Sequence, residues 1–277
     1  MSLLDFILNI AALLLWVHWR SAAFPRTLSQ PLLSLSSTLR PAGRGRARWL
    51  SLGLIAVIVV LRAVFYFQAG PAAHWNPRVP LGAIVLTFRS DLPVRMFLFS
   101  ALSFLFTLFV FYLWLIVLSV INGRVSDVDP VQRAIRQHLG WFAHWPVFLR
   151  LLLPLLAGMT CWAVVQPLLA RAQIAPPTRS LTQLWQQAAL IGLAGYLTAK
   201  FLVALVLVLH LVNSYIYLGN LHFWTYINNT ARLLLRPLRI LPLQFARVDF
   251  APVAGIALAF LVAELAEWGL PILFQRL

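Results

Sequence analysis

Residues 94–121 read VRMFLFSALSFLFTLFVFYLWLIVLSVI. An apolar run of this length exceeds the about 20 residues that carry an α-helix across the hydrocarbon core of a bilayer. Five further stretches have the same character: 3–19, 49–68, 145–170, 187–218 and 251–274. Across all 277 residues, 61% are hydrophobic and only 10% are charged, a composition outside that of soluble globular domains. The expected fold class is therefore all-α: a polytopic transmembrane protein of six spanning helices, joined by amphipathic, Arg-rich elbows at the membrane surface.

The first stretch is short and precedes Ser21-Ala22-Ala23, as a signal peptide does. A signal peptide opens with basic residues, whereas this one opens with Asp5 and meets its first positive charge at Arg20. It is read as a retained span. The lone Cys161 excludes an internal disulfide and a thiolate metal cluster.

The formal net charge is +15, and its placement identifies its partner. Lys200 is the single lysine, and the arginines gather beside the apolar stretches instead of forming a separate polar domain. Guanidinium groups at a helix end bind phosphate while their stems stay in the interface, so the expected partner is a bilayer with anionic headgroups and not nucleic acid. Arg20, Arg26, Arg40, Arg44, Arg46 and Arg48 fall in the first connector, Arg124, Arg133 and Arg136 in the third, and Arg232, Arg236, Arg239 and Arg247 in the fifth. The second connector holds Arg78 and Arg89, and the fourth Arg171 and Arg179. The positive-inside rule then places the odd connectors in the cytoplasm, in keeping with a bacterial inner membrane.

The fifth connector has the most informative local pattern, ARLLLRPLRILPLQFARVDFAP over residues 231–252. A Leu-rich amphipathic turn leads into Arg236-Pro237-Leu238-Arg239, then Pro242, then Asp249-Phe250 and Pro252 at the head of an apolar run. Over residues 221–265 this order resembles the signature of YggT-family integral membrane proteins. Three places depart from it: Ile240 replaces a second basic residue, Leu243 to Arg247 replaces a Pro- and Gly-rich turn, and Ala251 lies between Phe250 and Pro252. The resemblance implies a non-enzymatic role in membrane or envelope organisation, osmotic tolerance or assembly of membrane complexes, with no cofactor. Plastid relatives of that family are linked to cytochrome cofactor assembly and thylakoid organisation.

YggT relatives are built from two-helix units, and the chain repeats itself weakly in that sense. Leu32-Leu33, Pro41, Arg46 and Ile55-Ala56 match Leu233-Leu234, Pro242, Arg247 and Ile256-Ala257 at one constant offset. The expected organisation is a helix–elbow–helix unit over 1–78, a central helix pair with loops over 79–185, and a C-terminal YggT-like unit over 186–277.

Physically, residues 221–239 read as a helix lying in the headgroup plane, with Phe223, Trp224, Ile227 and Leu234 on one side and Asn228, Asn229, Arg232 and Arg236 elsewhere. Pro237 stops or bends it, Pro242 turns the chain, and Asp249 caps the last span. Arg232, Arg236, Arg239 and Arg247 are the expected lipid or partner contacts.

Ionisable residues inside spans are rare, and are paired or functional. Lys200 lies near the middle of the fifth stretch, and Glu264 and Glu267 lie one turn apart on the sixth. A Lys200–Glu264 ion pair would neutralise both, and Arg62 is a second partner for Glu264. The rival reading makes Lys200, Glu264 and Glu267 the path of a transporter or channel subunit. Of six histidines, only His18 and His210 could face each other at one depth as haem ligands, and no ligand motif accompanies them. Asp127 and Asp129 read as a charge-balanced loop with Arg124 and Arg133. No phosphate loop, His-Glu-x-x-His or Gly-x-Ser-x-Gly occurs. Gly192, Gly195 and Ala199 point to close helix packing. A membrane-protein partner or a second copy of the chain is the remaining class of partner.

Overall fold

The computed structural model describes residues 3–21, 44–72, 76–82, 84–123, 129–175, 177–178, 180–216, 221–240, 244–245 and 248–276. Among them are nine α-helices: α1 (Leu3–Ser21), α2 (Arg44–Ala72), α3 (Pro93–Ile121), α4 (Pro130–Leu139), α5 (Val147–Arg171), α6 (Leu181–Gly195), α7 (Ala199–Tyr215), α8 (His222–Leu234) and α9 (Ala251–Arg276). The strands are three residues long or shorter: β1 (Arg78–Pro80), β2 (Val85–Thr87), β3 (Gln244–Phe245) and β4 (Val248–Asp249), the last two pairing antiparallel.

Among the described residues six segments are long and apolar enough to cross a bilayer, as expected: Leu3–Ser21, Trp49–Gly70, Pro93–Ile121, Val147–Arg171, Leu181–Tyr215 and Ala251–Leu270. The fifth is not one helix. It joins α6 and α7 through a 3₁₀ turn at Tyr196–Thr198, where the Thr198 hydroxyl donates to the Gly195 carbonyl at 2.8 Å. It also begins six residues earlier than its hydropathy suggests, because Ser180 accepts a hydrogen bond from the Gln183 amide at 3.1 Å and caps α6 across a polar first turn. The short α4 and α8 are amphipathic connectors between spans.

The chain clusters into two units, one of residues 1–79 and 87–108, the other of residues 80–86 and 109–277. In the first, α1 and α2 run antiparallel beside the N-terminal half of α3, around Ala12, Ile55 and Phe104. Burial here is inverted relative to a soluble helix. The residues of α1 turned inward are Asp5, Asn9 and Ala12, while Leu3, Phe6, Ile7 and Leu14 are exposed. That pattern suits a hydrocarbon solvent, which leaves apolar side chains outside and gathers polar ones where they can bond one another.

In the second unit α5 packs along α6, and α7 packs against both α8 and α9. The α5–α6 approach is set by Gly158 and Gly192. A Cβ on Gly158 would stand 2.9 Å from the Gly192 Cα, and one on Gly192 would stand 2.8 Å from the Leu155 carbonyl oxygen. Only glycine permits that spacing, the small-residue contact by which membrane helices gain dispersion energy. Leu202, Val206, Leu207, Ile227, Ala231, Leu235 and Ala251 form the core where α7, α8 and α9 meet.

Candidate functional site: ionisable residues of the spans and the basic surface helices

Arg62 is the most deeply buried cation of the first unit, at 3% exposure. Its Nε donates to the Ser100 hydroxyl at 3.0 Å, one Nη to the Asn9 side-chain oxygen at 2.8 Å and the other to the Ser100 carbonyl at 2.6 Å. Asp5 stands 3.9 Å away as its counter-charge and accepts from the Tyr66 hydroxyl at 2.7 Å. Asn9 donates onward to Ser103 at 2.9 Å, and the Arg62 guanidinium lies 5.3 Å from the centre of the Phe99 ring. The helix period makes this arrangement. Asp5 and Asn9 are four apart on α1, Tyr66 and Arg62 four apart on the antiparallel α2, so the two bonds stack one turn above the other. The sequence reading that paired Arg62 with Glu264 is corrected: its partners are Asp5, Asn9 and Ser100. Asn9, Ser100 and Ser103 were missed, and the one available signal was polar residues recurring one helical turn apart in apolar helices.

In the second unit Lys200 pairs with Glu267 and not with Glu264. The ammonium lies 2.5 Å from Glu267 Oε1, and 5.3 and 5.7 Å from the ring centres of Phe201 and Phe260. Lys200 is about 22 Å of helical rise from the end of α7 at Tyr215, and Glu267 about 24 Å from the start of α9 at Ala251. The two charges therefore meet at one depth. Glu264 lies on the exposed side of α9. The Lys200 side chain is 9% exposed and that of Glu267 35%, so each charge in the span is met by the other, as a structural pair requires.

Asn122, at the end of α3, ties the two surface helices together. Its side-chain amide donates to the Tyr226 hydroxyl at 3.0 Å and the Thr230 hydroxyl at 2.9 Å on α8, while its backbone carbonyl accepts from Gln132 of α4 at 3.4 Å. Tyr226 donates in turn to the Gln132 side-chain oxygen at 3.2 Å. Burial pushes the Tyr226 phenol up to about 12, so it keeps the proton it donates. The third and fifth connectors thus lie on one side of the membrane, as the arginine count requires. Asp129, expected in a charge-balanced loop, accepts from the Val131 amide at 2.9 Å and caps α4 ahead of Pro130. Asp127 and Arg124 lie outside the described residues.

The face of α8 that packs inward is Tyr226, Ile227, Thr230 and Ala231. Phe223 is 44% exposed, and Arg232 and Arg236 are exposed as well. Pro237 has the effect expected of it: α8 ends at Leu234 and the chain continues as a 3₁₀ turn over Arg236–Ile240. Arg239 belongs to that turn and Asp249 to β4, but their side chains, with Pro242 and Arg247, lie outside the described residues. Beside α8, the solvent side of α4 carries Arg133 and leads into Trp141 and Phe142, both exposed. His210 bonds Asn228 at 2.8 Å and so fastens α7 to α8. Among the described residues no group of three or more His, Cys, Asp or Glu could hold a metal ion.

Fold and site together define a polytopic α-helical membrane protein whose ionisable residues in the spans fasten helices to one another. No protein-family model, curated protein or solved structure matches the chain.

Proposed function

We propose that this chain is a non-enzymatic organiser of the membrane around it, of YggT type and resident in a bacterial inner membrane, whose basic surface helices hold anionic headgroups. The observation that carries the reading is the joint surface of α4 and α8. Three side chains bonded through Asn122 hold the helices together, while Arg133, Arg232 and Arg236 are left exposed beside Trp141, Phe142 and Phe223. Aromatic rings at headgroup depth and guanidinium groups facing phosphate are the two components of an interfacial anchor. The arrangement of Arg236 and Pro237 and the resemblance to YggT proteins support the same reading. The direct Lys200–Glu267 ion pair favours it over a transporter or channel subunit.

The test is lipid selectivity of the reconstituted protein, read from spin-labelled phosphatidylglycerol and phosphatidylcholine. Each surface arginine contributes about 1 kcal/mol toward an anionic surface. The Arg232→Gln/Arg236→Gln variant is therefore expected to lose about 25-fold of the preference for phosphatidylglycerol, and the wild-type preference to weaken with added salt. Equal preference in variant and wild type would remove the headgroup reading.

A further inference from the structure

A groove of about 360 Å³ runs between α7 and α9 in the second unit. Its inner end is built by Leu235, Pro237 and Leu238 of the elbow, and its far end by Lys200 and Ala266. Arg236 stands in the chain between the lining residues Leu235 and Pro237, with its own side chain exposed. Between the two ends the wall is hydrocarbon, chiefly Leu207, Leu258 and Val262 over a floor that includes Ala259.

We propose that this groove seats one acyl chain of a phospholipid whose phosphate lies at Arg236, a bound lipid and not a passing annular one. The proposal rests on the headgroup reading for the phosphate but on the groove for the chain. Three features select this occupant. From Gly255 to Ala266 the groove follows α9 for about 16 Å of helical rise, close to half of the about 30 Å hydrocarbon thickness and so the length of one acyl chain. It begins at a cation at headgroup level, which fits the anionic end of a lipid. It ends against the Lys200–Glu267 pair, which closes its far end. Gly255 keeps the inner end shaped in this way, since a Cβ there would stand 2.9 Å from Leu207 Cδ1 and 3.0 Å from Leu235 Cδ2.

The experiment is native mass spectrometry of the purified full chain with dioleoylphosphatidylglycerol or dioleoylphosphatidylcholine, alongside its oligomeric state by light scattering. Ala259→Phe fills the middle of the groove, and Ala266→Leu narrows its far end more gently, which guards against a single variant that does not fold. Both are expected to retain about fivefold less of either lipid, the equivalent of about 1 kcal/mol. Arg236→Gln is expected to reduce the preference for the anionic lipid about fivefold while phosphatidylcholine is still retained. Undiminished retention in both groove variants would overturn the acyl seat. So would conversion of a dimer to a monomer with lipid retention unchanged, which would make the groove a seat for a second helix. Lost retention in the groove variants with an unchanged preference in Arg236→Gln would strike out the headgroup reading and leave the acyl seat supported.

Discussion

Arg62→Met is expected to lower the thermal midpoint of the detergent-solubilised protein by about 10 °C, the largest change from any single substitution considered. Removing one partner of a buried ion pair costs about 3–5 kcal/mol, because the other charge stays buried without compensation. Here Asp5 is 3% exposed, and Asn9 and both acceptors on Ser100 lose their donor at the same time. Adding Asp5→Asn to Arg62→Met removes the orphaned charge, while the amide oxygen still accepts from Tyr66. The double variant is expected to recover more than half of the loss. A double-mutant cycle in which the two losses simply add would show that Asp5 and Arg62 do not act as a pair.

Lys200→Met carries the second-largest expected effect. The ammonium makes a 2.5 Å contact to Glu267 and touches the faces of Phe201 and Phe260, so its loss leaves a carboxylate facing hydrocarbon. The expected cost is about 2–3 kcal/mol, on the scale of a charged residue unpaired within a span. Lys200→Met/Glu267→Gln is expected to be more stable than Lys200→Met alone, whereas Glu264→Gln in the same background restores nothing. Recovery with Glu264→Gln in place of Glu267→Gln would mean that the pair had been assigned to the wrong carboxylate. Because α7 and α9 are the helices joined, protease sensitivity of α9 should rise along with the loss of midpoint.

The spans were legible in the sequence because hydrocarbon imposes a length and a composition that no soluble helix needs. The largest boundary shift came where capping outweighed hydropathy, at Ser180, whose hydroxyl starts α6 over Gln183 before the apolar run begins. The inversion of α1 could also have been read: Asp5, Asn9 and Ala12 recur at intervals of four and three, the helical repeat of a face turned toward neighbours. What could not be read was the partner. Asn9 meets Ser103 across 94 positions of chain and Asn122 meets Thr230 across 108, and no local pattern encodes which helices become adjacent. The choice between Glu264 and Glu267 failed for a related reason. The two project about 60° apart on one helix, and only the rotation of α9 against α7 decides which of them reaches Lys200.

The basic elbow was half legible. Its amphipathic character and its end ahead of Pro237 follow from residue types, but which side of α8 packs against the rest of the unit does not, because apolar bulk is no guide to burial at a membrane surface. In the structure Thr230 is fully buried and Tyr226 is 2% exposed, while Phe223 is 44% exposed. Two polar side chains occupy the interior because Asn122 and Gln132 supply their hydrogen bonds, which removes the penalty that would otherwise exclude them. The large aromatic ring stays outside, where an interface between water and lipid accepts it. The function proposed above is assigned to that outward surface, whose residues are those that burial does not explain.

The proposed function puts the basic surface shared by α4 and α8 on the cytoplasmic side of the membrane. Cysteine labelling tests it most directly, with Cys161 first replaced by alanine because it is exposed. Single cysteines at the exposed positions Asn229 on α8 and Arg89 in the second connector would be challenged with a membrane-impermeant maleimide in right-side-out and inside-out vesicles. The account predicts that Asn229→Cys labels only in inside-out vesicles and Arg89→Cys only in right-side-out ones. Labelling of Asn229→Cys from the outer side, or of both positions from the same side, would contradict it.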